Sequence, residues 1–148
     1  MLLFDRDRAF EAQPRARRRL AELEQAAAGR DAEVDGLGWL AAMQALPADA
    51  ALPRIKRTVA LAHGRFSMRD ALWDRLASLA PMMPADATAI AAELVNGGLT
   101  ADHVYFPREE VENVLAYGLR QGGSTAEIAR RLIHRLGEHR ALDLSHLL

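Results

Sequence analysis

The chain contains no cysteine. Disulfides, thiolate metal sites and a cysteine nucleophile are therefore excluded, and any metal would have to be held by His, Asp or Glu. Aromatic residues are scarce, at 5% of 148 residues. A core must then be built from Leu, Ala, Val and Ile, a mixture that favours packed helices over a sheet. Lysine is almost missing: Lys56 is the only one, and the other cations are arginines. With the heavy use of alanine, this points to a GC-rich bacterial genome. The formal charge is only −1, which provides no overall attraction to nucleic acid or anionic lipid and does little to oppose self-association. No window approaches 18 uninterrupted apolar residues, so no membrane span is expected. Met1-Leu-Leu-Phe4 runs directly into Asp5-Arg-Asp-Arg8, without the basic leader of a secretory signal. The expectation is a soluble, cytoplasmic protein.

What is present is helical periodicity. Half the residues are apolar, and a chain of this length folds as one domain with a self-sufficient core. No stretch shows sustained alternation of period two, whereas segments of period 3.6 alternate with short punctuation. A first helix is expected over 14–28, opened by Pro14 and closed near Gly29, and a second, short one carries Leu37, Leu40, Ala41 and Met43 up to Pro47. A third opens between Asp49 and Pro53, aligns Leu52, Ile55, Val59 and Ala62, and reaches Gly64 as a left-handed C-cap. Ser67 to Asp70 reads as a capping box ahead of Leu72, Leu76 and Leu79, and Pro81 ends that helix.

Further on, Asp86 is the expected cap of a helix with a stripe of Ala87, Ile90, Ala91, Leu94 and Val95, running up to Asn96-Gly97-Gly98. Its small side chains imply close approach between helices. Pro107 fits the first position of a helix with Val111, Val114, Leu115 and Leu119, ended by Gly122-Gly123. Ser124-Thr-Ala-Glu127 has the form of a capping box for the last helix, with Ile128, Leu132 and Leu136 on one face and Gly137 at its end. The expected fold is therefore all-α: one domain, 1–148, of about seven short helices packed as antiparallel hairpins, with 1–13 a loose N-terminal segment and 141–148 an apolar C-terminal tail. A degenerate echo supports hairpins. Trp39 to Ala50 is answered by Trp73 to Ala87, with the tryptophans 34 positions apart and the Pro-Ala-Asp-Ala elements 37 apart. True duplication and chance repetition of an alanine-rich composition both remain open, and the signature positions of tetratricopeptide or ankyrin repeats are absent.

Motifs that carry chemistry are few. The run Ser124 to Leu132 resembles the opening helix of a bacterial helix-turn-helix, but Ile133 stands where the turn needs glycine, and no polar recognition helix follows. Arg15, Arg18 and Arg19 share one helical face and could meet phosphates, yet Glu11 and Glu22 pair with part of this charge and no aromatic residue interleaves it. Arg54, Lys56 and Arg57 read as a solvated face. His63, His103, His134, His139 and His146 include no pair at i, i+4, and His134 and His139 fall about 140° apart on a helix. Glu109, Glu110 and Glu112 suit the positive end of a helix dipole. The expectation is no catalytic residue, no cofactor and no metal.

Apolar material in breaks is the stronger signal. Met82-Met83 lies between Pro81 and Pro84, and Tyr105-Phe106 precedes Pro107. Methionine adapts to irregular partners and aromatics anchor interfaces, so these four, with Leu144 and Leu147 of the tail, are the candidate protein-binding residues. The alternative is that they plug the ends of the domain and that the tail packs on its own body. The functional expectation is a non-enzymatic interaction or adaptor module with a protein partner, such as an accessory subunit of a bacterial or phage assembly. Self-association is compatible with it. A small nucleic-acid-binding regulator using the Arg15–Arg19 face is the competing expectation.

Overall fold

Prolines mark where helices begin. Pro47, Pro84 and Pro107 each stand at a helix start, where the missing N–H would have had no intrahelical acceptor and the ring presets φ. In the computed structural model, which describes residues 46–61, 63, 69–100 and 105–148, five α-helices follow: α1 (Ala48–Leu61), α2 (Arg69–Leu79), α3 (Pro84–Leu99), α4 (Arg108–Gln121) and α5 (Gly123–Glu138). A 3₁₀ turn, Ser145–Leu147, follows α5. The described residues contain no strand, so the fold is all-α. The helices expected over 14–28 and up to Pro47 lie outside the described residues, as does Trp39, the first half of the Trp echo.

Each helix buries most of the stripe its periodicity announces, although Leu119 of α4 and Ile128 of α5, expected on those stripes, are only half-buried and Ala62 lies outside the described residues. Leu52, Ile55 and Val59 of α1, Leu72, Leu76 and Leu79 of α2, Ala87, Ile90, Ala91, Leu94 and Val95 of α3, and Val111, Val114 and Leu115 of α4 join one cluster with Ala129, Leu132, Ile133 and Leu136 of α5. Burying each large aliphatic side chain stabilises the fold by about 1.5–3 kcal/mol. The one large aromatic contact among the described residues is Trp73 of α2, fully buried, meeting Phe106 edge-on with centroids 6.5 Å apart. Arg75 of α2 donates to the carbonyl of Leu46, which ties the approach to α1 onto α2. Within α1, Pro53 stands inside the helix and cannot donate to the carbonyl four residues back. Next to this gap Arg54 Nη1 donates to Ala50 O at 2.9 Å, and buried Thr58 donates its hydroxyl to Arg54 O at 2.7 Å.

Helix α3 is central and packs against every other described helix. Its closest neighbour is made possible by an absent side chain. A Cβ on Gly118 of α4 would collide with Thr88 Oγ1 of α3 and lie 3.3 Å from Ala129 Cβ of α5. Glycine here is thus what lets α3, α4 and α5 converge at one point, through a residue of α4 rather than the small side chains of the α3 stripe.

Helix ends depart from the sequence reading in several places. Asp86 does not cap α3: Pro84 opens it, Met83 holds the cap position without a side-chain bond, and Asp86 lies in the first turn. Asn96-Gly97-Gly98 does not stop α3 either, since the helix continues to Leu99 with both glycines buried. A helical glycine costs about 1 kcal/mol relative to alanine, which packing against neighbours can outweigh. Pro107 is the cap residue of α4, in extended conformation, rather than its first helical residue. The capping box Ser124 to Glu127 does not form. Gly122 and Gly123, with φ of +75° and +58°, reverse the chain in so little space that α5 begins at Gly123, leaving Ser124 inside the first turn.

Two further ends use left-handed residues other than glycine. His63 has φ +52° and its N–H reaches Ala60 O, while Gly64 lies outside the described residues. Helix α5 passes Gly137 and closes on Arg140, φ +55°. There Ala141 N donates to Leu136 O at 2.9 Å and Arg140 N to Gly137 O at 3.0 Å, the paired bonds of a Schellman motif.

Gly118→Ala should lower stability by about 1–3 kcal/mol despite alanine's better helix propensity. In a Thr88→Ala background, where the hydroxyl and methyl that it meets are gone, most of that loss should disappear. Urea denaturation of the two single variants and the double variant measures the coupling directly.

Candidate functional site

The residues singled out as protein-binding are divided by the fold. Met82 and Tyr105 are exposed, at 66% and 70% of their surface. Met83 is half-buried against the core. For Phe106 the expectation is corrected: it is buried, because its ring packs edge-on against the buried Trp73. It anchors its own domain, as expected for a large aromatic surface with a buried partner within reach.

The tail is likewise core at its centre. Leu144 is 1% exposed, Leu142 and Leu147 are half-buried against the same cluster, and only Leu148 is open. Leu144 therefore cannot serve as an exposed docking residue, and Leu147 offers only part of its surface. After the Schellman turn, polar contacts to α4 hold the tail in place. Arg108 Nη2 donates to Asp143 O at 3.0 Å, and His146 Nε2 lies 2.9 Å from Glu112 Oε1. The carboxylate accepts, so Nε2 carries the proton. Arg108 Nε stands 4.0 Å from the other oxygen of Glu112. Asp143 Oδ1 accepts from the Ser145 hydroxyl at 2.7 Å and the Ser145 N–H at 3.1 Å. These two bonds hold the Asp143 carboxyl below its ordinary value of 3.8, the Arg108 and His146 charges adding a smaller pull.

Two grooves flank α3. One, of about 390 Å³, lies between α1 and the first turns of α3, lined by Leu52, Pro53, Met83 and Ile90 with Lys56, Asp49 and Asp86 at its edge. Met82 adjoins it in the chain. The other, of about 350 Å³, lies between α3 and α5, with Ala89, Ala92, Ile128 and Leu132 as its apolar surface and Asn96, Arg131 and Arg135 as its polar residues. Sequence reasoning recognised Ile128 and Leu132 as core-facing but passed over Arg131 and Arg135. Their spacing, one turn apart and each three residues beyond a half-buried or buried aliphatic, was the available signal.

Elsewhere the charges are those of a solvated helical surface. Arg130 pairs with Glu127 at 2.6 Å, both exposed, and Arg120 lies over the Tyr117 ring at 5.1 Å. Of the face expected to be solvated, Lys56 and Arg57 are exposed, whereas Arg54 is half-buried. Arg15, Arg18 and Arg19 lie outside the described residues. Among the described residues no three His, Asp or Glu side chains are grouped so as to hold a metal ion, and no helix is long and apolar enough to cross a membrane. No family model matches the chain, and neither a curated protein nor a solved structure matches it.

Leu144→Ala should cost about 2–4 kcal/mol, the loss typical of a buried leucine, and appear as a lower midpoint in thermal denaturation. The Asp143 contribution has a defined sign in pH. Its folded value is depressed, so the stability it adds is present above pH 3.8 and is lost as pH falls through the lowered value. Asp143→Asn should accordingly lie below wild type at neutral pH and converge with it under strongly acidic conditions, as read from denaturation curves across that range.

Proposed function

We propose that the chain is a helical protein-interaction module that works by binding rather than by catalysis. The observation that supports this most directly is the groove between α1 and α3, where Leu52, Pro53, Met83 and Ile90 leave an apolar depression beside an exposed methionine. Burying unbranched, polarisable Met82 against a partner would add about 1–2 kcal/mol. The mixed charges of Asp49, Lys56 and Asp86 form a polar rim around an apolar centre, the usual anatomy of a protein interface. With Phe106 buried, Met82, Met83 and Tyr105 are the candidate binding residues of the two breaks that keep free surface. An accessory subunit of a larger bacterial assembly is a setting that suits such a module.

The test is affinity purification of the tagged chain from its native host at moderate salt, beside a Met82→Ser variant of unchanged circular dichroism. A protein recovered in near-stoichiometric amount by wild type, and about tenfold less by the variant, supports the module and this surface. Nucleic acid without a protein partner, released by raised salt, would instead move function to the Arg15, Arg18 and Arg19 face.

A further inference from the structure

The two grooves beside α3 differ in charge. The one at Met83 carries both signs, through Lys56 and the carboxylates of Asp49 and Asp86, so its electrostatics select no partner. Among the described residues, the one between α3 and α5 is lined by no acidic side chain, and Arg131 and Arg135 are its charged lining groups. Arg131 is exposed and stands in no ion pair among the described residues. Arg135 donates to the Asn96 side-chain oxygen, a neutral amide. Beyond that bond Arg135, in the last turn of α5, stands in no ion pair among the described residues. Arg130, on the adjoining face, is by contrast neutralised by Glu127.

The geometry of this groove is helical on both walls. On α5, Ile128 and Leu132 are one turn apart, and Arg131 and Arg135 form a parallel row. On α3, Ala89, Ala92 and Asn96 follow on successive turns. The groove therefore extends over about two turns, roughly 10 Å. Its depth comes from the alanines, whose side chains end where a larger residue would fill the space. Ala89, Ala92 and Ile128 remain half-exposed, so apolar surface is left for an occupant.

From these observations, and resting on the reading of the chain as a protein-binding module, we infer that the α3/α5 groove receives an acidic amphipathic helix. The occupant would place two small or medium apolar side chains, spaced i, i+4, against Ala89, Ala92 and Ile128. Asp or Glu on the flanking row would meet Arg131 and Arg135, where guanidinium and carboxylate can pair through two hydrogen bonds. A nucleic-acid strand suits the groove poorly, because no aromatic residue lines it to stack a base and its floor is apolar. An extended peptide lacks an open strand edge to join in an all-helical wall.

The test is selection of helix-forming sixteen-residue peptides from a displayed library against the full chain. The same selection is run against Arg131→Glu/Arg135→Glu and against Ala92→Trp, each confirmed folded by circular dichroism. The expected result is enrichment of helices with apolar i, i+4 pairs flanked by Asp or Glu. Their affinity should fall at least tenfold in either variant, and the charge-reversed protein should enrich Lys or Arg at the flanking positions. Peptides that enrich but bind both variants as tightly as wild type would overturn the inference while leaving the module reading intact. Enrichment of neutral or basic helices by wild type would overturn it too. Failure to enrich any peptide on any surface would count against both. Concentration-dependent dimerisation abolished by Arg131→Glu/Arg135→Glu, measured by light scattering, would replace the acidic helix with a second copy of the chain.

Discussion

The described fold depends on a point where a side chain is missing. At Gly118 the backbone of α4 lies so near Thr88 of α3 and Ala129 of α5 that no Cβ fits between them. Three helices can therefore meet at one point, and α3 packs against every other described helix. The cost is visible in the same place. Thr88 Oγ1 is buried without a hydrogen-bond partner among the described residues, a deficit of about 1–3 kcal/mol. The packing gained along the α3, α4 and α5 stripes outweighs it, as a close-packed aliphatic core of this extent must.

Close approach through small residues also shapes the surface. Where alanines line a helix, a neighbouring helix can come near and leave a shallow trough, as Ala89 and Ala92 do beside α5. The scarcity of aromatics reinforces the effect. Trp73 and Phe106, the buried pair, join α2 to the segment before α4, and the large apolar side chains left exposed among the described residues are Leu61, Met82, Tyr105 and Leu148. Charge then distinguishes the two troughs. Carboxylates gather in the first turn of α4 and at the edge of the α1 groove, while Arg131 and Arg135 stand over the other.

The carboxyl-terminal segment shows how local and tertiary effects divide the work. The Schellman bonds turn the chain after α5, a local event that does not need a distant partner. Its subsequent course is tertiary: Leu144 enters the core, and Arg108 and Glu112, more than thirty residues earlier, hold Asp143 and His146 from outside. The ion pairs here are exposed and contribute little by themselves. Their effect is to keep the tail in register over the leucine that does stabilise it.

The sequence by itself determined that the chain is helical and which faces of the helices turn inward. Leu72, Leu76 and Leu79, or Val111, Val114 and Leu115, repeat with the period of an α-helix, and burying that stripe stabilises each segment more than its intrinsic helix propensity does. It also announced close helix packing through the alanines of α3. Tertiary structure decided the ends and the exposures. Ser124 to Glu127 had the pattern of a cap, but the glycine reversal before it placed the serine inside the helix. Gly97-Gly98 had the pattern of a stop, but burial carried α3 through them to Leu99. Phe106 and Leu144 read equally well as anchors for a partner or as core, because apolar character states only that a side chain leaves water and not whose surface it joins. The α3/α5 groove was illegible for the same reason. The trough is lined by residues more than thirty positions apart in the chain, and only the packing of α3 on α5 brings Ala89 and Ala92 opposite Ile128 and the row of Arg131 and Arg135.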